Sequence, residues 1–313
     1  MLSNQNFSTI ATDWLEQRAA DAELLPADAA EVLSRCFATL GGRGGLTEAW
    51  CEAAAPVLAA LAHLLRAREG DRQRLRESLV SEASSGGLVW LQKFLELMAL
   101  PAPFGAAEAA ACEVLELTCR GDEEFVTVLH RHHLLTVVSH RLLATARQEA
   151  AATPGWRHFA TFGVRLLEVL MAEEDTQRFQ LADPGLFKPV WACRERPEVT
   201  RQALLAMLPR EEALGGASPL EIGALSALGQ LARRSEEQAR LIARSPALQQ
   251  SLKILDRCAC DEEKVVDVLQ FLQRVRRFVP EEDMSKLKMP VSAAAARLPR
   301  SPSVKSLAAV LLS

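Results

Sequence analysis

Leu64, Leu117, Leu170 and Leu231 each close an apolar helical stretch just ahead of an acidic break, and this recurrence constrains the chain more than any other feature. After Leu117 the break is Arg120-Gly121-Asp122-Glu123-Glu124; Phe125, Val128 and Leu129 then mark a short helix, and Leu134, Leu135, Val138 and Leu142 a longer one. The order returns after Leu231 as Arg234-Ser235-Glu236-Glu237, then Leu241-Ile242, then Leu248, Leu252 and Leu255. A third copy passes from Leu170 through Glu173-Glu174-Asp175 to Phe179, Leu181, Leu186-Phe187, Val190 and Trp191. A worn copy runs from Leu64-Leu65 through Glu69-Gly70-Asp71 to Leu75 and Leu79, and a partial unit opens at Cys260-Asp261-Glu262-Glu263 and closes near Val279. The four leucines are spaced by 53, 53 and 61 residues, more than the roughly 40–47 of common helical repeats, so insertions are expected between units. Turn formers stand where they are needed, at Pro101 to Gly105, Pro154-Gly155 and Pro209 to Ala217. One such unit has an apolar face it cannot bury alone, and stacking neighbours predicts a superhelical solenoid.

Composition agrees with helices throughout. Alanine and leucine dominate the apolar half of the chain, aromatics are 5% and tyrosine is absent, which disfavours sheets built from β-branched and aromatic side chains. Thr47-Glu48, Pro219 and Asp122-Glu123-Glu124 read as helix starts, the acids lying where the macrodipole favours them. A net charge of −4 supplies no cationic field for nucleic acid, so no nucleic-acid partner is expected. Ala53 to Leu65 is the longest apolar stretch, and it is interrupted and too short for a bilayer. No membrane span is expected. The first residues, Met1-Leu2-Ser3-Asn4-Gln5-Asn6, show neither secretory nor transit character. Seven cysteines, an odd number mostly within apolar helical stretches, suit reduced thiols and a cytoplasmic protein, with a nuclear or cytoskeleton-associated location as the variant.

The grammar of a helix ending in leucine, an acidic break, a short helix and a longer aliphatic helix resembles the armadillo repeat. Ala227-Leu228-Gly229-Gln230-Leu231-Ala232-Arg233-Arg234-Ser235-Glu236-Glu237-Gln238 is the nearest match, and the resemblance spans roughly residues 46 to 279. It implies an all-α, right-handed α-α superhelix that binds protein along a concave face lined by each unit's last helix, here about 88–99, 134–146, 186–194 and 248–257. Trp90, Lys93, His140, Arg141, Trp191 and Lys253 are the partner-binding candidates on those helices; a helical tryptophan more commonly serves packing. Armadillo proteins of the import and catenin type carry concave-face asparagines, whereas this chain has only Asn4 and Asn6, both outside the repeats. An import-adaptor mechanism is therefore not expected.

Reaction chemistry finds no foothold. There is no Gly-x-Ser-x-Gly elbow, Walker loop, dinucleotide fingerprint or HExxH pair. His130-Arg131-His132-His133 and His140 lack a converging acidic or thiolate partner, Cys258-Ala259-Cys260 lacks CxxC spacing, and Gly41-Gly42-Arg43-Gly44-Gly45 reads as a connector. No cofactor, metal or enzyme activity is expected.

After Asp283 the only charged residues are Lys286, Lys288, Arg297, Arg300 and Lys305, and Pro290, Pro299 and Pro302 interrupt the pattern. Residues 281–313 therefore read as a basic tail through which helical stacking does not continue, following N-terminal capping helices over 1–45 and repeats over 46–280. Ser301 and Ser303 are candidate phosphorylation sites, and the stretch from Ser303 to Leu312 is a candidate docking helix. The expected function is a non-enzymatic scaffold or adaptor holding an extended segment or helix of a protein partner. The alternatives are a structural subunit of a cytoskeletal or ciliary assembly and an Hsp70 nucleotide-exchange cofactor.

Overall fold

The computed structural model describes residues 4–20, 24–26, 29, 48–84, 105–122, 125–127, 129, 133–147, 156–172, 197–208, 216–258 and 260–313. All regular structure among them is helical, as the composition requires. Contacts divide the chain into two compact units, Met1–Arg141 with Arg147–Glu195, and Leu142–Ala146 with Arg196–Ser313.

In the first unit, α1 (Asn4–Ala20) packs on α2 (Glu48–Ala67), α2 on α4 (Gly105–Cys119), and α4 on α6 (Trp156–Ala172), while α3 (Glu69–Ser84) lies against α2 and α4. Leu64 and Leu117 are buried, as is Leu170 in α6, so these leucines serve as core. The row starts with specific polar ties. Ser8 Oγ donates to the carbonyl of Ala53 at 2.6 Å. Arg68 donates to the last carbonyls of α1, Arg18 and Ala19, at 2.9 and 2.8 Å, groups that a helix end leaves without intrahelical donors. Asp71 is wholly buried because it accepts the Leu25 amide at 2.7 Å. Helix α4 is buried from Ala107 to Cys119 and stops at Gly121, whose φ of +75° is one that glycine adopts without strain.

In the second unit, α7 (Pro197–Met207) packs on α8 (Pro219–Arg234), α8 on α11 (Glu262–Val275), and α11 on α13 (Pro302–Leu312). Helices α9 (Glu236–Ala243) and α10 (Ala247–Cys258) complete the connection from α8 to α11, and α12 (Glu281–Arg297) packs on α10 and α13. Ser218 caps α8 with Pro219 next, and Glu221 donates its amide to Ser218 and returns its carboxylate to the Ser218 N–H at 2.7 Å, a complete capping box. At Gly229 the approach of α11 is close: a Cβ would lie 2.9 Å from Arg274 Nη1 and 3.6 Å from the Phe271 backbone.

The partial unit opening at Cys260-Asp261-Glu262-Glu263 begins with α11, which Asp261 caps and which packs on α8. Residues 281–313, read as a basic tail through which helical stacking does not continue, are helical, and the second of their helices falls where Ser303 to Leu312 is the candidate docking helix. They form α12 and α13, which bury Leu287, Val291 and Ala294, and Val304, Ala308 and Leu311. Of the prolines read as breakers, Pro302 begins α13, where an amide donor is not needed, Pro299 lies in the turn before it and Pro290 lies inside α12; Pro280 stands at the start of α12.

Candidate partner-binding surface

The two copies whose three segments are best described can be superposed residue by residue on their caps. Asp122 accepts the amide of Phe125 at 2.8 Å, and Ser235 accepts that of Gln238 at 3.3 Å. With those caps aligned, the burial pattern repeats: Phe125, Val126 and Leu129 correspond to Gln238, Ala239 and Ile242, all buried. In the third segment, α5 (Leu134–Arg147) corresponds to α10. Leu134, Leu135, Val138, Arg141, Leu142 and Thr145 are buried, as are their counterparts Ala247, Leu248, Ser251, Ile254, Leu255 and Cys258. His140 and Lys253 fall on the same position of this alignment, and both are exposed. The six buried positions of each helix fall on one face at the 3.6-residue period, and His140 and Lys253 lie on the other.

The alignment also matches two carboxylates. Glu108, in the first turn of α4, corresponds to Glu221 in the first turn of α8. Glu108 accepts Nε and Nη2 of Arg141 at 2.8 and 2.6 Å, and Glu221 pairs with Arg257. In each copy a buried glutamate on the first helix is thus held by an arginine on the third, which fixes the helix presenting the exposed slot. The arginines lie one turn apart in the alignment, which explains why sequence comparison alone passes over them. Further buried acids on α4 are held likewise, Glu113 by Arg66 and Glu116 by Arg120.

These pairings change the acid-base behaviour. Burial pushes the Cys112 thiol well above its ordinary range, and the charge of Glu108 adds to that push. Burial also opposes ionisation of Glu221, but hydrogen bonds from Arg257 and Ser218 outweigh it and hold the carboxyl below its ordinary 4.5. A folded-state value below the unfolded one means stabilisation that is present above the ordinary range and lost as the pH falls through the folded value. The urea midpoint of the second unit should therefore fall on acidification from about pH 6 to about pH 3. Glu221→Gln should flatten part of that fall while lowering the midpoint at pH 6; equal slopes in the two proteins would contradict the pairing.

Of the residues singled out from sequence, Trp90, Lys93 and Trp191 lie outside the described residues. His140 and Lys253 are exposed on equivalent helices. Arg141 is not a surface residue: it is 7% exposed and directed at Glu108, because a glutamate carboxylate buried on α4 needs a cation beside it. Ser301 is also enclosed, whereas Ser303 is exposed. His133 is exposed in a left-handed turn before α5, with a φ of 58°, and His130 and His132 lie outside the described residues, as does the Gly41 to Gly45 loop. Cys112, Cys258 and Cys260 are free thiols; burial raises Cys258 to about 11, and Cys260 is exposed. Among the described residues no group of His, Cys, Asp or Glu is placed to hold a metal, and no helix is long and apolar enough to cross a membrane. No protein-family model and no curated protein matches the chain.

Proposed function

We propose that the chain is a non-enzymatic, cytoplasmic protein-binding scaffold or adaptor of armadillo-like construction, which takes an extended segment or helix of a partner along its third-helix slots. The observation that carries the reading is the equivalence of His140 and Lys253, exposed in the same slot of two copies whose surrounding positions are buried alike. In each copy a buried Glu–Arg pair fixes the helix that carries the exposed position, as a repeat protein that reads a partner segment requires. The cationic character of Lys253 favours segments rich in carboxylates.

The test is a proximity-labelling and pull-down comparison of the full chain with its His140→Glu/Lys253→Glu variant. Both positions are exposed, so the thermal midpoint should stay within about 1 °C of the parent for a surface change of this kind. The variant should lose most of the proteins captured by the parent. An unchanged set of captured proteins, with folding intact, would overturn the third-helix surface as the binding site.

A further inference from the structure

Ser303 is the one serine or threonine in the whole sequence with an arginine three positions before it, Arg300, and Arg297 stands three positions earlier still. Three hydroxyls cluster here, and the fold gives them different fates. Ser301 is 4% exposed and fully engaged: its Oγ accepts the Val304 amide at 3.2 Å as the cap of α13 and donates to Glu262 Oε1 at 2.5 Å. Ser306 has no arginine at the matching distance. Ser303 is exposed in the first turn of α13, on the rim of a shallow groove that it shares with Val266, Gln270, Ser306 and Leu307. Arg300 is exposed in the turn that leads into the helix.

We propose that Ser303 is the acceptor for an Arg-x-x-Ser-directed protein kinase, and that the Ser301–Glu262 latch sets its accessibility. The Ser303 hydroxyl attacks the γ-phosphorus of ATP; the new O–P bond replaces the bridging bond to the β-phosphate, ADP leaves, and the hydroxyl proton passes to the kinase's base. A kinase groove takes an extended segment, so the first turn of α13 must open. Its leading amides have no intrahelical acceptors, and the cap at Ser301 is what holds that turn closed. Ser301 itself is withheld by the contacts that make it the latch. The product places a dianion in the first turn of α13, where the helix dipole and the neighbouring Arg300 and Lys305 favour it, so that the helix closes again after modification. The inference is independent of the third-helix surface, since it concerns residues of α11, the end of α12, the turn that follows and α13.

The test uses the full chain with purified calmodulin-dependent protein kinase, an Arg-x-x-Ser-directed enzyme, and magnesium ATP, read by intact mass and fragment mapping. One phosphate on Ser303 is expected, and none on the Ser303→Ala variant. Ser301→Ala removes the cap and should raise the initial rate roughly fivefold, the factor corresponding to an ordinary capping interaction. Ser301→Asn, which can still cap, should keep the parental rate and so separates loss of the latch from general loosening. Phosphate on Ser301, no incorporation into the folded chain, or equal rates for the Ala variant and the parent would each overturn the proposal.

Discussion

Arg141→Ala should lower stability by about 3–5 kcal/mol, a loss characteristic of removing one member of a buried ion pair. Glu108 is 0% exposed, and the guanidinium of Arg141 presents two donors to one of its carboxylate oxygens. Taking the arginine away removes two charge-assisted hydrogen bonds from a carboxylate that cannot reach water, and the penalty comes from the buried charge left behind. The double replacement Glu108→Leu/Arg141→Met removes both charges, keeps similar volume and should recover most of the loss. Urea unfolding of the parent, the single variant and the double variant checks this. An Arg141→Ala protein as stable as its parent would show that the pair is not buried in solution. The same experiment also separates a structural from a partner-contacting role, because a surface residue would change binding and leave the urea midpoint in place.

The second large effect is expected at the centre of the C-terminal unit. Phe271 is fully buried on α11, the helix that packs against α8, α10 and α13. Phe271→Ala should cost about 3–5 kcal/mol, combining the lost transfer of the ring with a cavity its neighbours cannot fill. The loss belongs to one unit, so amide hydrogen exchange is the measurement of choice: protection should drop in α8, α11 and α13 together. Met289→Ala is the matched control. Met289 is 82% exposed on α12 and its truncation should stay within about 0.5 kcal/mol. Equal effects at the two positions would mean that α11 is not the shared core element.

Residues 225–258 were the most legible part of the chain. Ser235, Leu241-Ile242 and Leu248 to Leu255 are read directly as a break, a short helix and a longer one, and the structure has α8 ending before a Ser235 cap, then α9 and α10. Legibility is high there because each boundary is local: a hydroxyl cap, acids in the first turn and an apolar period decide it within four residues. The helix over residues 281–297 was not legible, for the converse reason. A proline signals only that an amide donor is missing, and whether that ends a helix or begins one depends on neighbours. Around Pro302 those neighbours are Ser301 on one side and, across space, Glu262. The candidate surface was half legible. His140 and Lys253 were chosen from their helices and both face out, but Arg141, adjacent to His140, faces the opposite way because its partner Glu108 is 33 residues earlier.

The sequence by itself determined that the chain is helical, where most helices begin and end, and which leucines fill the core, since these follow from local propensity, capping and periodicity. Only packing settled which charges are buried as pairs, that residues 281–297 form a docked helix ahead of the one legible at Ser303 to Leu312, and which of Ser301 and Ser303 is enclosed. The physical reason is that burial and ion pairing are settled by groups brought together from distant positions. Their desolvation and mutual attraction exist only once the helices have packed.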